Sequence, residues 1–129
     1  MAVAIPLFRS LLTHALMPHI TYVRRTRRRW ALSQPELAQL LGISQSVISR
    51  IEAGELIPGT SLALGLQVIF GQSPRALFPG LYSSVEDAVM AQAAELDRAL
   101  GARKDYATET KRRLLTAMAL RASASPSVQ

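Results

Sequence analysis

Arg24, Arg25, Arg27, Arg28 and Arg29 crowd one short stretch, and Gln45, Ser46, Ser49 and Arg50 follow at helical spacing further along the chain. Guanidinium groups are permanently charged and match the geometry of phosphate oxygens. Glutamine, serine and arginine side chains donate and accept hydrogen bonds at base edges. The chemistry these residues offer is recognition of a polyanion. Bond-making chemistry has no support: paired carboxylates, a nucleophile–base set, a phosphate loop and a metal cluster are all missing from the pattern, and Ser10, His14 and the scattered acids form no constellation. The expectation is a non-enzyme with no catalytic residues, no metal site and no cofactor. The chain has no cysteine, which excludes disulfides and thiolate metal sites. His14 and His19 lie in an irregular segment without a ligand pattern, and read as solvated or loosely packed.

Fifteen Lys and Arg against nine Asp and Glu give a formal charge of +6, suited to nucleic acid or an anionic membrane surface. No apolar stretch is long enough to span a bilayer, and the N-terminus makes a poor signal peptide because Arg9 and His14 interrupt it. Residues 1–20 read as a disordered extension, with residues 1–16 either an arm or an upstream addition from a misassigned start.

Helix signals position the polar residues, and strand signals are nearly absent. Thr21 caps a first helix through Trp30, with Val23 and Thr26 inward. Ser33 and Glu36 form a capping box, and Pro35 fits the first turn of a second helix. Leu37, Ala38, Leu40 and Leu41 supply its apolar face, and Gly42 ends it. Ser44 caps a third helix whose inward residues are Val47, Ile48 and Ile51, leaving Gln45, Ser46, Ser49 and Arg50 outward; Gly54 ends it. A fourth helix runs from Ser61 to Phe70. A fifth starts at Ser73-Pro74 and is stopped by Pro79-Gly80.

The stretch LSQPELAQLLGISQSVISRIEAG, with an arginine-rich helix before it and PGTSLALGLQVIFGQSPRALF after it, resembles the helix-turn-helix domain of the phage lambda repressor and Cro family, also called the xenobiotic-response-element family. The resemblance covers residues 21–80. It implies an all-α fold: a five-helix lambda-repressor-like DNA-binding domain followed by a two-helix C-terminal extension. It further implies that Gln34 binds phosphate, that Gln45 and Ser46 face bases with Ser49 and Arg50 beyond them, and that Arg27 and Glu52 form a structural ion pair. Ser44, Arg24 and Arg25 are assigned to phosphate beside Gln34. Ala31 stands where the family often has glycine, so the turn before Ser33 is expected to be strained.

Residues 81–122 lie outside the match. A capping box at Ser83 and Glu86 opens a long helix with a stripe at Val85, Val89, Gln92, Leu96 and Leu100; Gly101 ends it. A last helix from Ala107 to Arg121 has Leu114, Leu115 and Met118 on one side, and residues 123–129 read as a disordered tail. The stripes have two possible burials: a hairpin folded onto its own domain, or a homodimer interface serving paired half-sites. The expected function is a double-stranded DNA-binding transcription regulator, a repressor, in a bacterial cytoplasm at the nucleoid. The rival is an antitoxin-type interaction protein that grips a protein partner through the C-terminal helices. Neither reading invokes a membrane or a small-molecule ligand.

Overall fold

The computed structural model describes residues 19–124; His14, Ser10, residues 1–16 and the end of the tail lie outside them. Every regular element among the described residues is a helix: α1 (Val23–Arg29), α2 (Gln34–Leu41), α3 (Gln45–Glu52), α4 (Thr60–Phe70), α5 (Pro74–Leu77), α6 (Pro79–Leu100) and α7 (Tyr106–Ala124). The fold is all-α, as the periodicity predicts. The chain divides into two compact units between Ser83 and Ser84.

In the first unit, Val23, Leu37, Ile48, Ile51, Leu66 and Leu77 are completely buried, and Ala38 and Phe78 nearly so. These residues come from five helices, so each short helix gains its stability by covering a common core rather than from its own length. The Ser33–Glu36 capping box forms in both directions: Glu36 N–H donates to Ser33 Oγ at 3.1 Å, and Ser33 N–H donates to Glu36 Oε1 at 2.9 Å. Those bonds hold the Glu36 carboxyl below its usual range, the Ser33 backbone donor contributing most. Gly42 closes α2 in the left-handed region, at φ 68°.

Several boundaries differ from the expectation. Tyr22, not Thr21, is the N-cap of α1, although Thr21 Oγ1 still accepts from Val23 N–H at 3.2 Å. Leu40 is exposed: in a two-turn helix whose contact face is Leu37, Ala38 and Leu41, it falls to the side. α4 starts one residue early, capped by the backbone of Gly59. Pro79-Gly80 does not stop a helix but begins α6. Phe78 breaks α5 at φ −126° and ψ 61°, and Pro79 then occupies the first turn, where its missing N–H costs nothing. Ser83 and Glu86 consequently sit inside α6 and cap nothing. α7 starts at Tyr106, after Asp105, whose carboxylate accepts from Thr108 Oγ1 at 2.7 Å and Thr108 N–H at 3.2 Å. Both bonds, the side-chain one foremost, lower the Asp105 carboxyl.

His19 and Ile20 run along the first unit. His19 N–H donates to the Gly54 carbonyl at 3.2 Å, and its ring stands edge-on to Phe78 with centroids 6.3 Å apart. Both ring nitrogens are buried without a hydrogen-bond partner. A Cβ on Gly54, at φ 76°, would lie 2.3 Å from the His19 carbonyl oxygen, so this position needs glycine for space as well as for conformation.

In the second unit, α6 and α7 form a hairpin closed by Gly101 at φ 62°. Arg112 reaches back to the Gly101 and Arg103 carbonyls and pairs with Asp97 at 3.4 Å. Ala93, Leu100 and Thr108 are buried.

Candidate nucleic-acid interface

The site is built outward from a buried ion pair. Arg27 Nε donates to Glu52 Oε2 at 2.6 Å and its Nη2 to Glu52 Oε1 at 3.0 Å, while Nη1 donates to the Leu32 carbonyl at 2.7 Å. The two side chains are only 9% and 3% exposed. Burial alone would push the Glu52 carboxyl up. Hydrogen bonds from Arg27 and Gln34, and the charges of Arg27 and Arg24, outweigh it and hold the carboxyl below its usual range. The Glu52 hydrogen bond raises the already high Arg27 value against the effect of burial. The pair ties the middle of α1 to the last residue of α3, which fixes the direction in which α3 points.

The network continues to the surface. Gln34 Nε2 donates to Glu52 Oε1 at 3.1 Å, and Gln34 Oε1 accepts from Gln45 Nε2 at 3.3 Å. The side chain that the resemblance assigns to phosphate is therefore joined to the buried carboxylate on one side and to the first residue of α3 on the other. This link joins residues far apart in sequence, and no local signal announces it. Gln45, Ser46, Ser49 and Arg50 are all exposed, while Ile48 and Ile51 on the opposite side of α3 are completely buried.

The N-termini of α2 and α3 differ. That of α2 is filled by its own capping box. At α3, Ser44 has the extended cap conformation, at φ −78° and ψ 152°, but its side chain caps nothing; its Oγ lies 3.1 Å from Ser46 Oγ instead. The first N–H groups of α3 keep no side-chain acceptor, and the positive end of the helix favours an anion there.

Arg24 is exposed and its charge acts on Glu52, which puts it beside the Arg27–Glu52–Gln34 network. Arg25 is also exposed and lies 5.5 Å from the centroid of the Tyr22 ring. Ala31 has φ 59°, the only positive φ outside glycine among the described residues.

α3 thus has a polar outer face, a core inner face and a last residue held by the ion pair. Residues 21–78 match the family model of a helix-turn-helix domain. The matched span contains α1 to α5 and every residue assigned above to bases or phosphates. The helix-turn-helix match supports a DNA-binding regulator. No curated protein and no solved structure matched the chain. No described helix is long and apolar enough to cross a membrane.

Proposed function

We propose that the chain is a transcription regulator of the lambda repressor and Cro type that binds double-stranded DNA as a homodimer and acts as a repressor in the cytoplasm. α3 lies in the major groove, with Gln45, Ser46, Ser49 and Arg50 at the base edges. Gln34, Ser44, Arg24 and Arg25 hold phosphates beside it, Ser44 together with the uncapped N–H groups of α3.

One observation carries this reading: Gln45, the first residue of the polar outer face of α3, is hydrogen-bonded to Gln34, which is bonded in turn to the buried Glu52 of the ion pair. A solvated helix has no need of such an anchor. A reading helix does, because hydrogen bonds to base edges discriminate only when the donors are held in place. Gln45 thus meets DNA already oriented by Gln34.

Selection of bound sites from a random duplex pool, followed by titration of the winner at several salt concentrations, tests the reading. The expected product is a two-fold symmetric pair of half-sites, bound with an affinity that falls steeply as salt rises. An unenriched pool, or binding indifferent to salt, overturns it.

A further inference from the structure

Of the four polar side chains at the outer face of α3, three have a hydrogen-bonding sense set by their own chemistry. Arg50 only donates, and the hydroxyls of Ser46 and Ser49 turn to donate or accept. Gln45 differs. A carboxamide offers an acceptor on one side and donors on the other, so what it reads depends on which way round it is held.

That orientation is decided inside the protein. Glu52 is ionised in its pair with Arg27, and an ionised carboxylate accepts hydrogen bonds but donates none. The Gln34 atom 3.1 Å from Glu52 Oε1 must therefore be its amide nitrogen, Nε2. The Gln34 carbonyl oxygen then lies on the other side, 3.3 Å from the end of the Gln45 side chain. A carbonyl oxygen also only accepts, so Gln45 turns its own NH2 group towards it. Reversing either amide would set oxygen against oxygen. The buried charge thus fixes two amides in series, and the exposed Gln45 keeps its carbonyl oxygen and one N–H for a ligand. The second hydrogen on Gln34 Nε2 is left for a phosphate.

We propose that Glu52 sets the polarity of base reading at Gln45: acting through Gln34, it holds the Gln45 carboxamide so that its carbonyl oxygen meets a donor at the base edge. The donors of the major groove are the exocyclic amino groups of adenine and cytosine. Guanine O6 and thymine O4 would meet that oxygen as acceptor against acceptor. Glu52 touches no base and is a positioning residue. The inference rests on α3 as the reading helix proposed above, and adds the class of base edge that its first residue takes.

The test uses the full chain and the duplex it selects. Selection repeated with Gln45→Ala marks the base pair that Gln45 reads, as the one whose preference disappears. In that pair the amino-bearing base is replaced by an analogue lacking only the amino group: purine for adenine, or pyrimidinone for cytosine. Wild type should bind the analogue duplex about tenfold more weakly, and Gln45→Ala should bind both duplexes alike. Gln34→Met leaves the ion pair in place and frees the Gln45 amide to turn. It should bind every duplex less tightly, and its penalty for the missing amino group should shrink several-fold. Glu52→Gln, measured where circular dichroism shows it folded, should lose the penalty in the same way, because a neutral amide there offers Gln34 either atom. If Glu52→Gln does not fold, the Gln34→Met comparison decides. A purely structural ion pair would change melting temperature and leave the penalty intact. A Gln45→Ala chain that selects the same site, a wild type indifferent to the amino group, or a folded Gln34→Met or Glu52→Gln chain that keeps the full penalty would each overturn this proposal and leave the DNA reading standing. A wild type that enriches no duplex overturns both.

Discussion

The two units of this chain bury their apolar side chains to very different degrees. The first closes a core in which six large side chains have no exposure at all, and the Arg27–Glu52 ion pair is buried with them. The second buries Ala93, Leu100 and Thr108, and leaves Val85, Val89, Leu96, Leu114 and Leu120 in solvent beside an exposed Arg98–Glu95 pair. The difference separates two tasks. Short helices that must hold a reading face steady need a finished core. The hairpin, with most of its large apolar side chains in solvent, supplies no core of that kind.

The largest effect expected from this contrast is on core truncation. Ile51→Ala should cost about 3–4 kcal/mol in chemical unfolding, because Ile51 is completely buried and leaves a cavity. Leu120→Ala, 65% exposed on the hairpin, should change stability by less than about 0.5 kcal/mol. Equal costs would erase the distinction between the units.

The ion pairs should follow the same order. Arg27→Ala strands a buried carboxylate and should cost about 3 kcal/mol. Arg98→Ala, at the surface, should cost no more than about 0.5 kcal/mol. The buried pair also predicts a pH dependence. The folded Glu52 carboxyl is held below its unfolded value, so its contribution is present above the unfolded value and is lost as pH falls through the folded one. Thermal unfolding of the wild type should therefore weaken in acid. In Glu52→Gln that acid-dependent loss should be smaller, and identical pH profiles would contradict the assignment.

The smallest effect concerns Ala31. At φ 59° an alanine is strained, whereas glycine is not, although glycine also loosens the unfolded chain. Ala31→Gly should raise stability by up to about 1 kcal/mol, read as a higher unfolding midpoint. A loss of stability would mean that the turn tolerates alanine without strain.

What was legible in the sequence was local. The Ser33–Glu36 cap, the left-handed Gly42 and the spacing of Ile48 and Ile51 within α3 are all set by neighbours a few residues away. The strained Ala31 and the Arg27–Glu52 pair came from the family resemblance, and the structure contains both. The hidden features depend on distant residues. Pro79-Gly80 can end one helix or begin the next, and burial of Phe78 in the core decides for the second. The close fit of His19 on Gly54 and the bridge from Glu52 through Gln34 to Gln45 exist only once the first unit has folded. Among the candidate site residues, the polar face of α3 could be read from periodicity, but the engagement of Gln34 within the protein could not.

Paired binding titrations of Arg50→Ala on its selected duplex and on a scrambled one test the central claim most directly. Arg50 is exposed at the outer face of α3, one turn beyond Ser46, where a guanidinium can donate two hydrogen bonds to a guanine edge. The account predicts a loss of about 1–3 kcal/mol on the selected duplex, little change on the scrambled one, and an unaltered melting temperature. An equal loss on both duplexes, or a protein that melts early while keeping its base preference, would contradict the assignment of α3 as the reading helix.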